Sequence, residues 1–454
     1  MTTAAPSQSL DEIAELLLAG AKRHGATAAD VVVAEGDGLE VGVRLGAVEK
    51  LKRARQKHFG LRVFIGERSA VTSSADFSRD ALQRLSEETC ALARITAPDP
   101  FAGLPDSADI PRAVPDMDLF DPAIEAVTPE QAIEWTQAAE AAALDADVRV
   151  TNSEGAEFTA STGHVLYASS LGFSGAYRNS SASLSVVPVA SENGSMQRDY
   201  WYSAQRKLGR LERPEVIGRT AAARALRRLN ARRVSTCEVP VVFDPEMAAG
   251  LLGHLASAVS GYALYKGTSF LIGALGRRIA PEFVTIVDDG RLPNGLGSKP
   301  FDAEGLATRR TVVVENGVLA NYLFDSYSAR KLRSRSTGNA ARSVGSAPHV
   351  SPTNFVLQAG TASPEDIVRS VQRGLYVTEL IGFGVNAVTG DYSRGAVGQW
   401  IENGEIAHPV EEITIAGNLL AMYEAIEVIG NDLDLRTAVA APTLKIARMT
   451  VAGN

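Results

Sequence analysis

The chain has 454 residues, 45% of them hydrophobic and 22% charged, with a formal net charge of −8. That length gives roughly two to three globular domains with ample core, and the acidic balance argues against a nucleic-acid-binding surface. No run approaches the roughly 20 apolar residues needed to cross a bilayer. The start, MTTAAPSQSLDEIAELLLAG, has neither a basic n-region nor a small-residue cleavage site, and the only cysteines, Cys90 and Cys237, lack zinc or redox spacing. A cytoplasmic protein with buried, free thiols is expected.

Ser9-Leu-Asp-Glu12 is a capping box, in which the Ser hydroxyl and the Glu carboxylate satisfy each other's backbone amides at a helix start. Ile13, Leu16, Leu17 and Ala21 then recur with helical period, and Gly25 ends the run. Residues 29–73 change to period-two and all-apolar runs, with turn chemistry expected at Gly36-Asp37-Gly38 and at Gly66-Glu67-Arg68. A second helix is expected over 78–94, with Leu82, Leu85, Cys90 and Leu92 facing one side. Residues 96–128 hold six prolines and no sustained periodicity, which reads as a connecting segment. Helix returns at 129–145, and β-patterned stretches follow from about 148 to 204. The run 214–233 reads as a strongly basic helix whose arginines lie on a solvated face rather than against an acidic partner.

The second half opens with a buried strand, Val239 to Phe243, and a helix from Pro245 to about Ser260. Short strands follow to the C-terminus, two of them joined at Asn316-Gly317 and two at Asn403-Gly404, the strongest short hairpin signal. The expected fold is α+β. Residues 1–234 form an N-terminal α/β domain with a mixed sheet and flanking helices. Residues 235–454 form a C-terminal domain, a largely antiparallel β-sheet or partial barrel with a few helices.

Generic catalytic signatures are absent: there is no Walker A loop, no dinucleotide-binding glycine motif and no C-x-x-C pair. Gly172-Phe-Ser174-Gly-Ala176 falls short of a nucleophile elbow and has no helix after it. Ser328-Ala-Arg-Lys331 matches S-x-x-K without its companion motifs, and helix capping is the simpler use. The six histidines, His24, His58, His164, His254, His349 and His408, include no pair at helical ligand spacing.

Residues 384–419, GVNAVTGDYSRGAVGQWIENGEIAHPVEEITIAGNL, resemble the PmbA/TldE branch of the TldD/PmbA family nearly position for position. FDAEGLATRR (301–310), RRTVVVENGVLANYLFDSYSARKL (309–332), Ser336-Thr-Gly338, GNDLDL (430–435) and PTLKIARMTVAG (442–453) are similar to it as well, so the resemblance spans about 240–453. The family comprises peptidases also known as modulators of DNA gyrase. Its TldD branch holds zinc on an H-E-x-x-x-H helix with a further cysteine near the C-terminus. Here His254 stands at the first histidine, Leu255 at the glutamate and Val259 at the second histidine, and no cysteine follows Cys237. Leucine cannot serve as a general base and valine has no lone pair to donate.

The resemblance therefore implies a non-catalytic, zinc-free subunit with no cofactor of its own. Zinc is expected in a TldD-like partner, joined in a heterodimer or higher assembly that cleaves unfolded peptide in an enclosed cavity. Nucleic acid and membrane are not expected partners. Asn386, Thr389, Asp391, Tyr392, Ser393 and Arg394 are the candidate cavity and peptide contacts; around Gly390 the same residues also read as a tight turn. Asn418 reads as an N-cap, Trp400 as core or subunit contact, and 333–350 as a basic loop near the cavity mouth, open to anion or peptide binding. Two alternatives stand: a stand-alone, homodimeric peptidase or hydrolase with an unrecognised site, and a regulatory binding protein linked to DNA gyrase.

Overall fold

The computed structural model describes residues 9–453; the first eight, part of the start read for a leader, and Asn454 lie outside it. Helix α1 (Leu10–Arg23) begins on the expected capping box, with the Glu12 amide donating to Ser9 Oγ at 3.2 Å and the Ser9 amide to Glu12 Oε2 at 3.0 Å. The N-terminal strands are β1 (Ala28–Arg44), β2 (Ala47–Ile65), β3 (Arg68–Ser74), β4 (Val150–Ser169), β5 (Ser174–Glu192), β6 (Ser195–Arg198) and β7 (Trp201–Gln205). They form one sheet in the order β3-β2-β1-β4-β5-β6, with β7 on β5. Every pairing is antiparallel, where the sequence suggested a mixed sheet. Tight turns join most of the neighbours, and such turns link antiparallel strands only. The expected turn at Gly36-Asp37-Gly38 does not form either. β1 runs straight through it, held by β2 on one side and β4 on the other. The chain reverses instead at Leu45-Gly46, both with positive φ (49° and 78°).

Helices α1 and α2 (Arg79–Ile95) cover one end of a sheet face, over Val31, Val33, Phe59, Leu61 and Val63. Leu92, expected on the buried stripe, is exposed, and Ala93 takes its place. After the short α3 (Pro122–Glu125), helices α4 (Pro129–Leu144) and α5 (Pro214–Leu226) cover the other end, over Leu39, Val41, Phe158 and Val186. Gly218 lets α4 and α5 approach closely, since a Cβ there would sit 2.2 Å from the Ala139 carbonyl oxygen. The basic run is only partly solvated. α5 stops at Leu226, and Arg224 and Arg228 are buried, reaching Asp199 at 3.3 Å and Glu379 at 2.6 Å. Arg224 thus supplies a counter-charge for Asp199, which would otherwise be buried alone.

In the C-terminal half, β8 (Cys237–Phe243) leads into α6 (Pro245–Ala258) and α7 (Gly261–Lys266). A smaller sheet contains β9 (Ile286–Asp289), β10 (Arg310–Glu315) and β11 (Val318–Leu319). It is followed by α8 (Ser326–Lys331) and a two-stranded pair, β12 (Ala340–Ala341) with β13 (His349–Val350). Next come β14 (Phe355–Leu357), α9 (Pro364–Arg369), β15 (Arg373–Ile381), β16 (Asp391–Glu402), β17 (Glu405–Asn418), α10 (Leu419–Glu424), β18 (Ile426–Ile429), β19 (Val439–Ala440) and β20 (Leu444–Ala452). Strands β17-β16-β15-β8-β20 pair in that order, and β17 pairs back onto β20, closing a barrel. Its pairings are antiparallel except β15 with β8. Both Asn-Gly turns form as expected, with positive φ at each residue. Trp400 lies in the core, 2% exposed. Cys90 is buried as expected, but Cys237, at the start of β8, is only half-buried.

The halves are joined by ions as well as by apolar contacts. Asp30 of β1 is fully buried and accepts from Arg62 Nε (3.0 Å), Tyr167 Oη (3.3 Å) and Arg342 Nη1 (2.8 Å). Burial alone would raise the Asp30 carboxyl, but the Arg342 and Arg62 charges hold it below its ordinary value. Arg342 comes from the basic loop 333–350, so this arginine is spent inside the protein rather than offered to an anion. The proline-rich connector is tied in the same way: Arg330 of α8 donates to the carbonyls of Phe101, Leu104 and Gly103 at 2.8–2.9 Å. Removing one member of a buried ion cluster leaves the others uncompensated, so Asp30→Ala is expected to lower unfolding free energy by about 3–5 kcal/mol. Urea unfolding of the purified variant measures this, and a loss under about 1 kcal/mol would show that the cluster does not hold the halves together.

Candidate functional site

Asp244 caps α6, accepting from the Met247 amide at 2.9 Å, and the helix then divides its side chains between two environments. Leu251, Leu252, Leu255 and Val259 pack into the barrel core, with Leu255 1% and Val259 0% exposed. His254 is half-buried and faces a cavity of about 540 Å³. Phe270, His349, Pro352, Val385 and Leu419 also line this cavity, which is largely apolar. The structure therefore brings Leu255 and Val259 together, one helical turn apart, but not with His254. What it places beside His254 is Tyr392 of β16, edge-on, with ring centroids 6.1 Å apart.

The donor set does not fit a zinc ion. His254 is the only one of the three aligned positions with a lone pair to give, and Leu255 and Val259 are committed to the core. His349 lines the same cavity, but among the described residues no three His, Cys, Asp or Glu side chains come together as a ligand group. Burial, and then the nearby Arg394 charge, push the His254 imidazole below its ordinary value, so it is neutral at neutral pH.

The 386–391 segment is a tight turn whose polar groups largely satisfy one another. Asn386 Oδ1 accepts from the Val388 and Thr389 amides at 2.9 and 3.3 Å, and Thr389 Oγ1 donates to Asp391 Oδ2 at 2.6 Å. Gly390 has φ +80°, and a Cβ there would crowd Asn418 and Phe270. Asn418 caps α10 as expected, accepting from the Leu420 amide at 3.2 Å, and also donates to the Thr389 carbonyl at 2.9 Å. Hydrogen bonds from Thr389 and Asn418 lower the Asp391 carboxyl.

Asn386, Thr389, Asp391 and Ser393 are exposed, and Arg394 is half-buried with Nη2 donating to the Leu380 carbonyl at 3.2 Å. Tyr392 departs from the expectation of a peptide contact. It is 2% exposed and turned into the core, as alternation along β16 requires when Asp391 and Ser393 point out.

Ser174 is exposed at the start of β5, and buried Ser328 donates to Asp325 Oδ1, the N-cap of α8, at 2.5 Å. His349, in the loop expected near a cavity mouth, does line this cavity, while Phe270 and Val385, which the sequence did not single out, reach it from two other segments. No local motif marks them.

Three family models match the chain in succession: PmbA/TldA metallopeptidase domain 1 over residues 29–93, the central domain over 122–229 and the C-terminal domain over 236–453. The fold is thus that of a metallopeptidase family. The chain is 41% identical to Metalloprotease PmbA of Escherichia coli O157:H7, over 96% of this chain and 94% of that one. A solved Bacteroides thetaiotaomicron chain, described as a candidate modulator of DNA gyrase, matches with TM-score 0.91 and 26% identity, over 98% of this chain and all of that one. TldE from Thermococcus kodakarensis shares the fold, with TM-score 0.89 and 23% identity over 97% and 99% of the two chains. The chain belongs to the PmbA/TldD family, on its PmbA side. No helix among the described residues is long and apolar enough to cross a membrane.

The site makes a titration prediction. By NMR, His254 is expected to titrate below the ordinary imidazole value, and Arg394→Gln to move it upward by removing a neighbouring cation. Because the folded state binds this proton less readily than the unfolded chain, His254 costs stability as pH falls through the ordinary imidazole range. Titration at or above the ordinary value would contradict this placement.

Proposed function

We propose that this chain is the zinc-free subunit of a cytoplasmic, two-subunit TldD/TldE-type peptidase, and that it forms part of the wall of the chamber in which a zinc-bearing partner cleaves unfolded peptide. One observation carries the reading: the helix position that would need a carboxylate and a second imidazole carries Leu255 and Val259, both sealed in the barrel core. Zinc in a peptidase lowers the pKa of bound water and polarises the scissile carbonyl. Among the described residues no three His, Cys, Asp or Glu side chains gather to hold such an ion, and no carboxylate lines the cavity beside His254.

What the chain offers instead is a shaped, mostly apolar cavity with a neutral imidazole at its side and a rigid, self-bonded turn at its edge. Around the turn, Ile381, Phe383 and Val388 are exposed, Phe383 completely. Tyr262, Ile272 and Leu275 add to the exposed apolar surface of this half. Apolar surface of this kind marks a face that another protein covers, which supports a partner subunit there.

The test is co-expression with a TldD-like chain carrying H-E-x-x-x-H, followed by assay on an unfolded peptide. The pair is expected to cleave it and each chain alone to leave it intact; cleavage by this chain alone would establish the stand-alone enzyme instead. In the active pair, His254→Ala is expected to change the rate by less than about two-fold, as for a group outside the chemistry. A complete loss would give His254 a chemical role.

A further inference from the structure

The most concentrated positive charge in this acidic chain lies far from the cavity in sequence, on β2. Residues 50–57 read KLKRARQK. They occupy a part of β2 that is paired on one side only. β1 pairs with β2 from Ala47 to Phe64, but β3 covers only Phe59 to Ile65. From Ala47 to His58 the outer edge of the strand makes no backbone hydrogen bond to another element among the described residues. The stretch is exposed nearly throughout. It is an open strand edge, able in geometry to accept one more strand.

The charges decide what that strand is. Arg53 and Lys57 reach across to Asp37 (3.3 Å) and Glu35 (2.6 Å) of β1, and Lys50 to Glu40. These pairs are at least partly exposed, so exchanging them for new partners costs little. Lys52 and Arg55 have no ion pair among the described residues. Because side chains alternate along a strand, Lys50 and Lys52 point to one face of the sheet, and Arg53, Arg55 and Lys57 to the other. An added strand would therefore meet cations on both of its faces. A second copy of β2 would set Lys and Arg against Lys and Arg, which is unfavourable for directly opposed residues; a basic strand is repelled in the same way, and a neutral one would desolvate the cations without pairing them.

We propose that the open edge of β2 from Ala47 to His58 binds an extended, acidic polypeptide segment by strand addition, with backbone hydrogen bonds supplying affinity and the Lys50–Lys57 cations selecting acidic side chains. This mode of recognition uses the main chain for binding and alternate side chains for choice. It goes beyond the peptidase reading and does not depend on it, since the edge belongs to the N-terminal sheet and needs neither zinc nor the cavity.

The test uses the full chain and a fluorescein-labelled peptide of about twelve residues in which Glu-Glu and Val-Val pairs alternate, so that carboxylates reach both faces of the added strand, read by fluorescence anisotropy. Saturable binding is expected, weakened by salt, lowered by about tenfold or more in Lys52→Glu/Arg55→Glu and lost when alternate peptide amides are N-methylated. Hydrogen exchange should show new protection of amides within 47–58. If the double variant does not fold, Arg55→Gln alone is expected to weaken binding in the same direction. Equal binding of the N-methylated peptide would mean charge attraction without strand addition and would overturn the proposal, as would no binding. Sedimentation showing that the chain self-associates through this edge, and separates on charge reversal, would overturn it in favour of a second copy.

Discussion

Helix α6 has to give one face to the barrel core, and that constraint governs what the neighbouring cavity can do. Leu251, Leu255 and Val259 lie on this face among the buried residues of the barrel. Burying an aliphatic side chain of this size contributes roughly 1.5–3 kcal/mol, so these residues stabilise the fold while offering no donor atom to a metal. A glutamate and a histidine at the same two positions would need a metal, or some other charge partner, to offset their burial. His254 is left at the boundary, where burial and Arg394 keep it uncharged. The result is a largely apolar cavity wall around a neutral imidazole.

That wall is rigid because the parts around it are anchored elsewhere. The 386–391 turn is bonded internally and pinned to α10 by Asn418, so its exposed polar side chains are held in place. The loop that ends in His349, on the cavity lining, is fastened to the N-terminal sheet through Arg342 and Asp30. Asp30 thus couples the sheet that carries the open β2 edge to the half that carries the cavity.

Much of the fold was legible in the sequence where a local rule had no competitor. The capping box at Ser9, the two Asn-Gly hairpins and the helix following Asp244 all formed where their residues placed them. The failures have a common physical form, in which tertiary contacts overrode a local signal. Gly36 and Gly38 signal a turn, yet pairing on both sides keeps the strand straight, and the real turn falls at Leu45, a residue that local statistics do not favour for positive φ. The basic run at 214–233 suggests a solvated helix until Asp199 and Glu379, distant in sequence, bury two of its arginines. At the site, His254, Leu255 and Val259 could be read from one helix, while the cavity opposite them could not, because Phe270, His349 and Val385 meet only in the folded chain.

By the chemistry of its own side chains, this chain is expected not to hold zinc. This is tested most directly by measuring the metal content of the chain purified alone from zinc-supplemented cells and dialysed against metal-free buffer, using inductively coupled plasma mass spectrometry. Well under about 0.1 zinc per chain is expected, because one imidazole without further ligands does not retain the ion. About one zinc per chain that survives dialysis and disappears in His254→Ala would contradict it.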